Sequence, residues 1–490
     1  YPLYWDYRSP SPLTVSQLQS ASGPDAALLG ANEAVVVWMV PAGSDKGLVF
    51  AVSKRGFAWA RMGMSGAEIS AAVKALRARL DPLGAVSGQD LAAAGQGPGS
   101  TSGAGGMTQG GASQGPAPMA PPASAGFDRA GSYRLYQALL GDPEIEKVIH
   151  GPGIDTLLIV PSGALTSLPP AVLVTQPPQG RDDDPAALAA TPWLIKQDAI
   201  AVLPQVAALK TLRQLLPASR NASGSAQASR PLLALADPDF AGVGAVPGVF
   251  PGRDPYVLDA GPSQKSADRG APPAAAAERD GRSRAAVLAE LPPLWDTRRE
   301  GVELMTLLHA DRADLLLGPA ATKTALLQRQ ADHSLAEVKV LDFSTHGLIT
   351  GDFAGLTEPA LVLAAPPAGT DPAKDDQLLR ASEAAGLTLS ADWVVLSACN
   401  TAAGESPGAE GLSGLARAFF HAGARSLLVS HWRVDDAATE QLIATTFEGY
   451  KSGSPSKAKA LQAAMTAMIA DPASANPALW APFVIVGEPR

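Results

Sequence analysis

EVKVLDFSTHG, residues 337–347, reads as a buried β-strand that runs directly into Thr345-His346-Gly347. A second apolar run, WVVLS at 393–397, runs in the same way into Ala398-Cys399-Asn400-Thr401. Both are short and nearly continuous in apolar residues, as expected of strands covered on two faces. Working outward, apolar runs and helical periodicities alternate from residue 295 onward. Strands are expected at 312–316, 337–344, 359–364, 392–398, 425–430 and 483–486. Helices are expected at 297–308, 322–330, 410–422, 435–450 and 455–470. This alternation specifies an α/β fold: a mostly parallel sheet with helices on both faces.

Toward the N-terminus, AVVVWMV, GLVFAVS and GFAWARM within 34–62 read as a three-stranded meander, with Gly, Ser, Lys and Asp in the connections. Ile69, Ala72, Val73, Leu76 and Leu80 are spaced for a helix over 65–80. Further elements are expected as helices at 131–141 and 205–216 and strands at 155–160, 198–203 and 231–236. Two stretches interrupt the pattern. Residues 83–127 are mostly Gly, Ala, Ser, Pro and Gln, and 238–286 are rich in Pro, Gly, Ala and Asp. Neither buries enough apolar area to offset its ordering entropy, so both are expected to be flexible insertions. There is no repeat of 20–50 residues.

Composition narrows the function classes. A chain of 490 residues, 46% hydrophobic, suits two or three domains. The net charge of −9 would repel nucleic acid and anionic membranes. No apolar run is long enough for a transmembrane helix, so a soluble protein is expected, with the cytoplasm the favoured compartment. The chain begins at Tyr1, as a fragment or processed form would. Cys399 is the only cysteine, which excludes an internal disulfide. His150, His309, His333, His346, His421 and His431 show no zinc spacing, so neither metal nor cofactor is expected. No P-loop is present. Gly111-Ala112-Ser113-Gln114-Gly115 fits G-x-S-x-G, but it lacks the flanking strand and helix of a nucleophile elbow.

The two reactive strand ends carry the chemistry. Sites in open α/β sheets form beyond the carboxyl ends of strands. If these two strands are neighbours, the His346 imidazole and the Cys399 thiol emerge at one edge. The imidazole can then take the thiol proton. The amides of Gly347 and Cys399 could together form an oxyanion hole. The plainer readings are a core histidine and an inert buried cysteine. It is the pairing of the two strand ends that favours catalysis. The spacing also fits the caspase pattern, in which a His precedes an Ala-Cys pair by about 50 residues.

The ordered succession DFSTHGLI, LTEPALVLA, LLRASE, DWVVLSACNTAAGE, GLARAFFHAGARSLLVSHWRVDD and WAPFVIVGE resembles the CHAT domain, a caspase- and separase-like peptidase family usually found with TPR repeats. LIVPSGALTSLPPAVL and LPQVAALKTLR extend the likeness toward the N-terminus, so that it covers essentially the whole chain. The resemblance implies two caspase-like halves: a degenerate one over 1–230 and a catalytic one over 231–490. It implies that His346 and Cys399 are the dyad and that the substrate is a protein. It also implies regulation through a TPR region upstream of Tyr1 or through a partner protein. One departure is Gln377, which stands where the family usually has Gly before LL-x-A-x-E.

Ser397, Trp432, Arg433 and Asp435 are the candidate substrate-binding residues. Ser430 and Arg433 loosely resemble the Ser-Trp-Arg strand that favours an acidic P1 residue in caspases. Asp435 is the nearer match to the separase carboxylates, and the likeness leans to a basic P1. Against these stand plainer roles: Asp435 and Asp436 as helix-capping residues, Trp432 as core, and His421 and His431 as structural. Two further alternatives are a non-catalytic scaffold or signalling module on the same fold, and an enzyme held latent by loops 347–358, 365–380 and 403–410.

Overall fold

The computed structural model describes residues 12–20, 23, 28–41, 43, 45–81, 126–215, 230–242, 284–348, 350, 356–371, 374–397, 414–432 and 436–490. In chain order the strands are β1 (Glu33–Met39), β2 (Lys46–Ser53), β3 (Phe57–Ser65), β4 (Thr156–Val160), β5 (Ala199–Val202), β6 (Arg230–Pro238), β7 (Leu315–Gly318) and β8 (Val338–Ser344). They continue with β9 (His346–Leu348), β10 (Ala360–Val362), β11 (Leu378–Arg380), β12 (Trp393–Leu396), β13 (Ser426–Ser430) and β14 (Phe483–Gly487). Eleven of these form one sheet in the order β3-β2-β1-β4-β5-β14-β13-β12-β8-β6-β7. Seven of its ten ladders are parallel. The other three are β1–β2, β2–β3 and β13–β14. The fold is thus the α/β class expected, with the N-terminal meander at one edge. β9, β10 and β11 form a separate small antiparallel sheet.

The continuous apolar runs have a direct physical counterpart. Side chains alternate across a strand, and in the central strands both faces are buried. Leu232, Ala234 and Ala236 of β6 enter one hydrophobic core, while Leu233 and Leu235 enter the other. Trp393 and Val395 of β12 likewise face the first core, and Val394 and Leu396 the second.

The helices that matter for the site are α1 (Gly66–Leu80), α2 (Arg129–Leu140), α3 (Pro143–Ile149), α4 (Trp295–Leu308), α5 (Lys323–Ala331), α6 (Gly414–Ala422), α7 (Asp436–Lys451) and α8 (Lys457–Ala470). α1 starts with a capping box in which the Ser65 hydroxyl accepts from the Glu68 N–H and the Glu68 carboxylate accepts from the Ser65 N–H. α4 packs against β6 on one side and α7 on the other.

Several boundaries differ from expectation. The helix expected over 205–216 is one short α-turn, Ala208–Lys210, followed by a π-turn, Thr211–Leu215. The strand expected at 312–316 begins at Leu315, because the Asp311 side chain caps a 3-10 turn at Arg312–Asp314. α3, opened by Asp142 and Pro143, has no counterpart among the expected elements. Parts of the second proposed insertion are built into the fold. Phe240 is buried in the small core under β9–β11, and Arg284–Leu288 is helical. Composition alone misassigned them, because one large aromatic or one helical turn is diluted by its Pro- and Gly-rich surroundings. Most of 83–127 and of 238–286, and the G-x-S-x-G at 111–115, lie outside the described residues.

Candidate active site

β8 and β12 are adjacent and parallel, with Val340 opposite Trp393 and Phe343 opposite Leu396. Their carboxyl ends, Ser344 and Ser397, therefore leave the sheet at the same edge. Beyond Ser344 the chain turns at Thr345, whose hydroxyl donates to the Val362 carbonyl. It then enters β9, where His346 lies opposite Val362 and Gly347 opposite Leu361. Cys399 is two residues beyond Ser397 and lies outside the described residues, as do Arg433 and Asp435.

The His346 side chain is held from two sides. It is 6% exposed. Its ring lies 5.2 Å from that of Phe240, inclined at 38°. Nε2 is 2.8 Å from the carbonyl oxygen of Pro292. A carbonyl can only accept, so Nε2 carries the proton and the neutral ring has its lone pair on Nδ1. Sequence reasoning missed both Phe240 and Pro292. Phe240 comes from the edge of the segment assigned to an insertion and Pro292 from beyond its end, and only the tertiary structure brings them to the histidine.

Beneath the strand ends lies a buried carboxyl cluster. The Ser344 and Ser397 hydroxyls both reach Glu300 Oε1 of α4, at 3.0 and 2.8 Å. Ser344 Oγ is also 2.9 Å from Asp342 Oδ2. Burial and the neighbouring Glu300 charge push the Asp342 carboxyl well above its ordinary range, against a smaller opposing effect of the Ser344 hydrogen bond. One serine proton cannot serve two carboxylates. A neutral Asp342 donating to Ser344, which in turn donates to an ionised Glu300, satisfies the chain of bonds. Two residues before Glu300, the Arg298 guanidinium donates to Asp237 at the end of β6. The start of α4 thus grips the carboxyl ends of β6, β8 and β12, which are neighbours in the sheet.

The candidate substrate-binding residues within the described chain face inward. Ser397 Oγ is committed to Glu300. Trp432 is 1% exposed, with Nε1 donating to the Ala478 carbonyl at 3.0 Å. Its indole belongs to the main hydrophobic core. The Arg77 guanidinium of α1 lies 5.1 Å from the Trp432 ring centre and donates twice to the His431 carbonyl, each at 3.1 Å. Burial, reinforced by Arg77, pushes the His431 imidazole down to about 3. The His421 Nδ1–H donates to the Ala385 carbonyl. Both histidines are structural here.

The LLRASE stretch is explained by a further ionic cluster. The ammonium of Lys323, 3% exposed, donates to Glu383 (2.5 Å), Asp376 (3.3 Å) and the Leu378 carbonyl (3.0 Å). Arg380 also pairs with Asp376. Against the cost of burial, Arg380 and Lys323 hold Asp376 at about 2. The motif's glutamate therefore ties the end of β11 to the start of α5. Among the described residues no cluster of three or more His, Cys, Asp or Glu could hold a metal ion. Nor is any helix among them long and apolar enough to cross a membrane.

The family model for the CHAT domain matches residues 129–488, and the chain belongs to that family. A 111-residue stretch is 35% identical to tetratricopeptide repeat protein 28 of Mus musculus, covering 23% of this chain and 4% of that protein. Among solved structures, the chain is similar to the separase–securin complex of Saccharomyces cerevisiae. There the identity is 12% and the TM-score 0.46, over 100% of this chain and 33% of that one. It is also similar to the Arg-specific cysteine proteinase gingipain R, at 12% identity and a TM-score of 0.34, over 70% and 65% of the two chains. The chain thus spans only part of these relatives. Its fold is α/β, with a large mostly parallel sheet.

Proposed function

We propose that this chain is a cysteine endopeptidase acting on protein substrates through His346 and Cys399. The observation that carries this reading is the adjacency of β8 and β12, together with the commitment of His346 Nε2 to the Pro292 carbonyl. That bond leaves Nδ1 as the basic nitrogen for the thiol proton. The Cys399 thiolate attacks the scissile carbonyl, and the Gly347 and Cys399 amides stabilise the oxyanion. The imidazolium then protonates the leaving amine, giving an acyl-enzyme. Water, deprotonated by the same imidazole, releases the acid and restores the thiol.

In this reading residues 231–490 are the catalytic half. Residues 1–230, which contain no cysteine, are the non-catalytic half. Specificity is assigned to Arg433 and Asp435, with Asp435 favouring a basic P1 residue. Activity is regulated through a TPR region or a partner protein, in keeping with the TPR-containing relative.

The test is cleavage of a peptide library by the chain and by Cys399→Ala, read by mass spectrometry. Loss of the thiol is expected to lower cleavage by about 10⁴-fold or more. Equal cleavage by both forms would sink the proposal. Silence of both, with an unreactive Cys399, would favour a non-catalytic scaffold.

A further inference from the structure

The Glu300 carboxylate is buried, 3% exposed, and no step of peptide hydrolysis uses it. Its position is nonetheless specific. One oxygen, Oε1, accepts from Ser344 on β8 and from Ser397 at the end of β12. Ser344 is two residues before His346, and Ser397 is two residues before Cys399. A single acceptor atom therefore spans the two strand ends that lead to the two reactive groups. The β8–β12 register runs to Phe343 and Leu396, and the Ser397 N–H donates to the Phe343 carbonyl at 3.2 Å. The Glu300 bonds thus add a side-chain link just where the backbone ladder reaches its end. Beyond Ser344 the first chain enters the small β9–β11 sheet.

We propose that Glu300 is a positioning residue for the dyad: by accepting from Ser344 and Ser397 at once, it sets the separation and orientation of the strand ends bearing His346 and Cys399. The inference rests on the endopeptidase reading above. Three features of the surroundings support it. α4 is fixed at the same place by Arg298 on Asp237 and by the Thr297 hydroxyl, which accepts from the Asp237 N–H at 2.9 Å. Glu300 therefore approaches the strand ends from a rigid support. Asp342, Ser344 and Glu300 are buried and Ser397 is half-buried, so the bonds at the inner end of the chain are costly to break without replacement. Among the described residues, the charged groups near the clasp include Asp342 on β8 and the Arg298–Asp237 pair between α4 and β6.

Cys399 is the only cysteine, so its alkylation reports on the site without a substrate or an activator. The rate of iodoacetamide labelling of the full chain would be measured against pH by intact mass, for wild type, His346→Ala, Glu300→Ala, Glu300→Gln and Ser397→Ala. In wild type the labelling midpoint is expected below the ordinary thiol value of about 8.5. His346→Ala is expected to return it there. Glu300→Ala is expected to move the midpoint toward that of His346→Ala and to cut labelling at pH 7 by about tenfold. Glu300→Gln keeps an Oε1 acceptor and should retain most of the wild-type profile, a rescue that a purely charge-based role would not give. Ser397→Ala removes one arm only and serves as the second variant if Glu300→Ala does not fold; a partial shift is expected.

Folded Glu300→Ala or Ser397→Ala proteins with the wild-type midpoint would overturn the clasp and leave the dyad standing. Wild type and His346→Ala sharing one ordinary midpoint would overturn both.

Discussion

Gln377 has a backbone φ of +66°, in the left-handed region, where a side chain costs about 1 kcal/mol relative to glycine. It is also the position where the sequence departs from the glycine usual in the family. The departure has a compensation in view. Gln377 Nε2 donates to the Phe240 carbonyl at 3.0 Å, and its N–H donates to Asp375 Oδ1 at 3.0 Å. Phe240 in turn packs on the His346 ring. Gln377→Gly relieves the strain but loses the Phe240 bond, so urea unfolding should show a net change within about 1 kcal/mol. Gln377→Ala keeps the strain and loses the bond, and should cost about 1–2 kcal/mol. If the alanine variant were as stable as wild type, the compensation would be disproved. At this scale the sequence was legible where a residue's chemistry is local, as at the Gln377 departure. It was not legible for Phe240, Pro292 or Glu300, whose roles depend on partners 44 to 106 positions away along the chain.

At the scale of elements, α1 deserves a functional role that its amphipathic spacing does not suggest. Its apolar face, Ile69, Val73, Leu76 and Leu80, belongs to the main core, but Arg77 reaches across to the chain leaving β13. Two hydrogen bonds to the His431 carbonyl and the stack over Trp432 fix the backbone immediately before 433–435. That is where the specificity residues are assigned in the proposed function. Arg77→Met keeps the apolar stem and removes the guanidinium. It should cost about 1.5–3 kcal/mol of stability, the range for hydrogen bonds made by a charged group. It should also raise KM for peptide substrates while leaving the pH profile of Cys399 labelling unchanged. A shifted labelling profile with unchanged KM would contradict the assignment of Arg77 to specificity. Elements of this kind were recognised in the sequence by their period. Their contacts were not, because a 3.6-residue repeat says which face is buried and nothing about what an arginine on its flank will meet.

For the whole molecule, the apolar runs disclosed the α/β class, since two-faced burial leaves a composition signature in each strand. The strand order was not disclosed, because β5 pairs with β14 and β8 with β12 across long sequence separations. One ionic cluster records that long-range organisation. The Arg213 guanidinium binds Glu33 at the start of β1 (2.7 and 2.9 Å), Glu488 just after β14 (2.7 and 3.1 Å) and the Leu28 carbonyl (2.7 Å). Arg490 adds two bonds to Glu33. Burial raises the Glu33 carboxyl, but Arg213 and Arg490 outweigh it and hold Glu33 at about 2, below its ordinary 4.5. The folded state therefore gains stability from this carboxylate above pH 4.5 and loses it progressively as the pH falls toward 2. Arg213→Met removes the guanidinium that both buried carboxylates share and leaves Arg490 bonded to Glu33. The variant should lose about 3–5 kcal/mol at neutral pH, the cost of stranding buried charge. Protonation then relieves the stranded carboxylates, so the deficit relative to wild type should shrink as the pH falls below 4.5. Urea unfolding of both proteins at pH 7 and pH 4 measures this. A deficit of the same size at both values would mean that Arg213 acts by filling volume, and that the cluster's charge does not hold the first strand to the last.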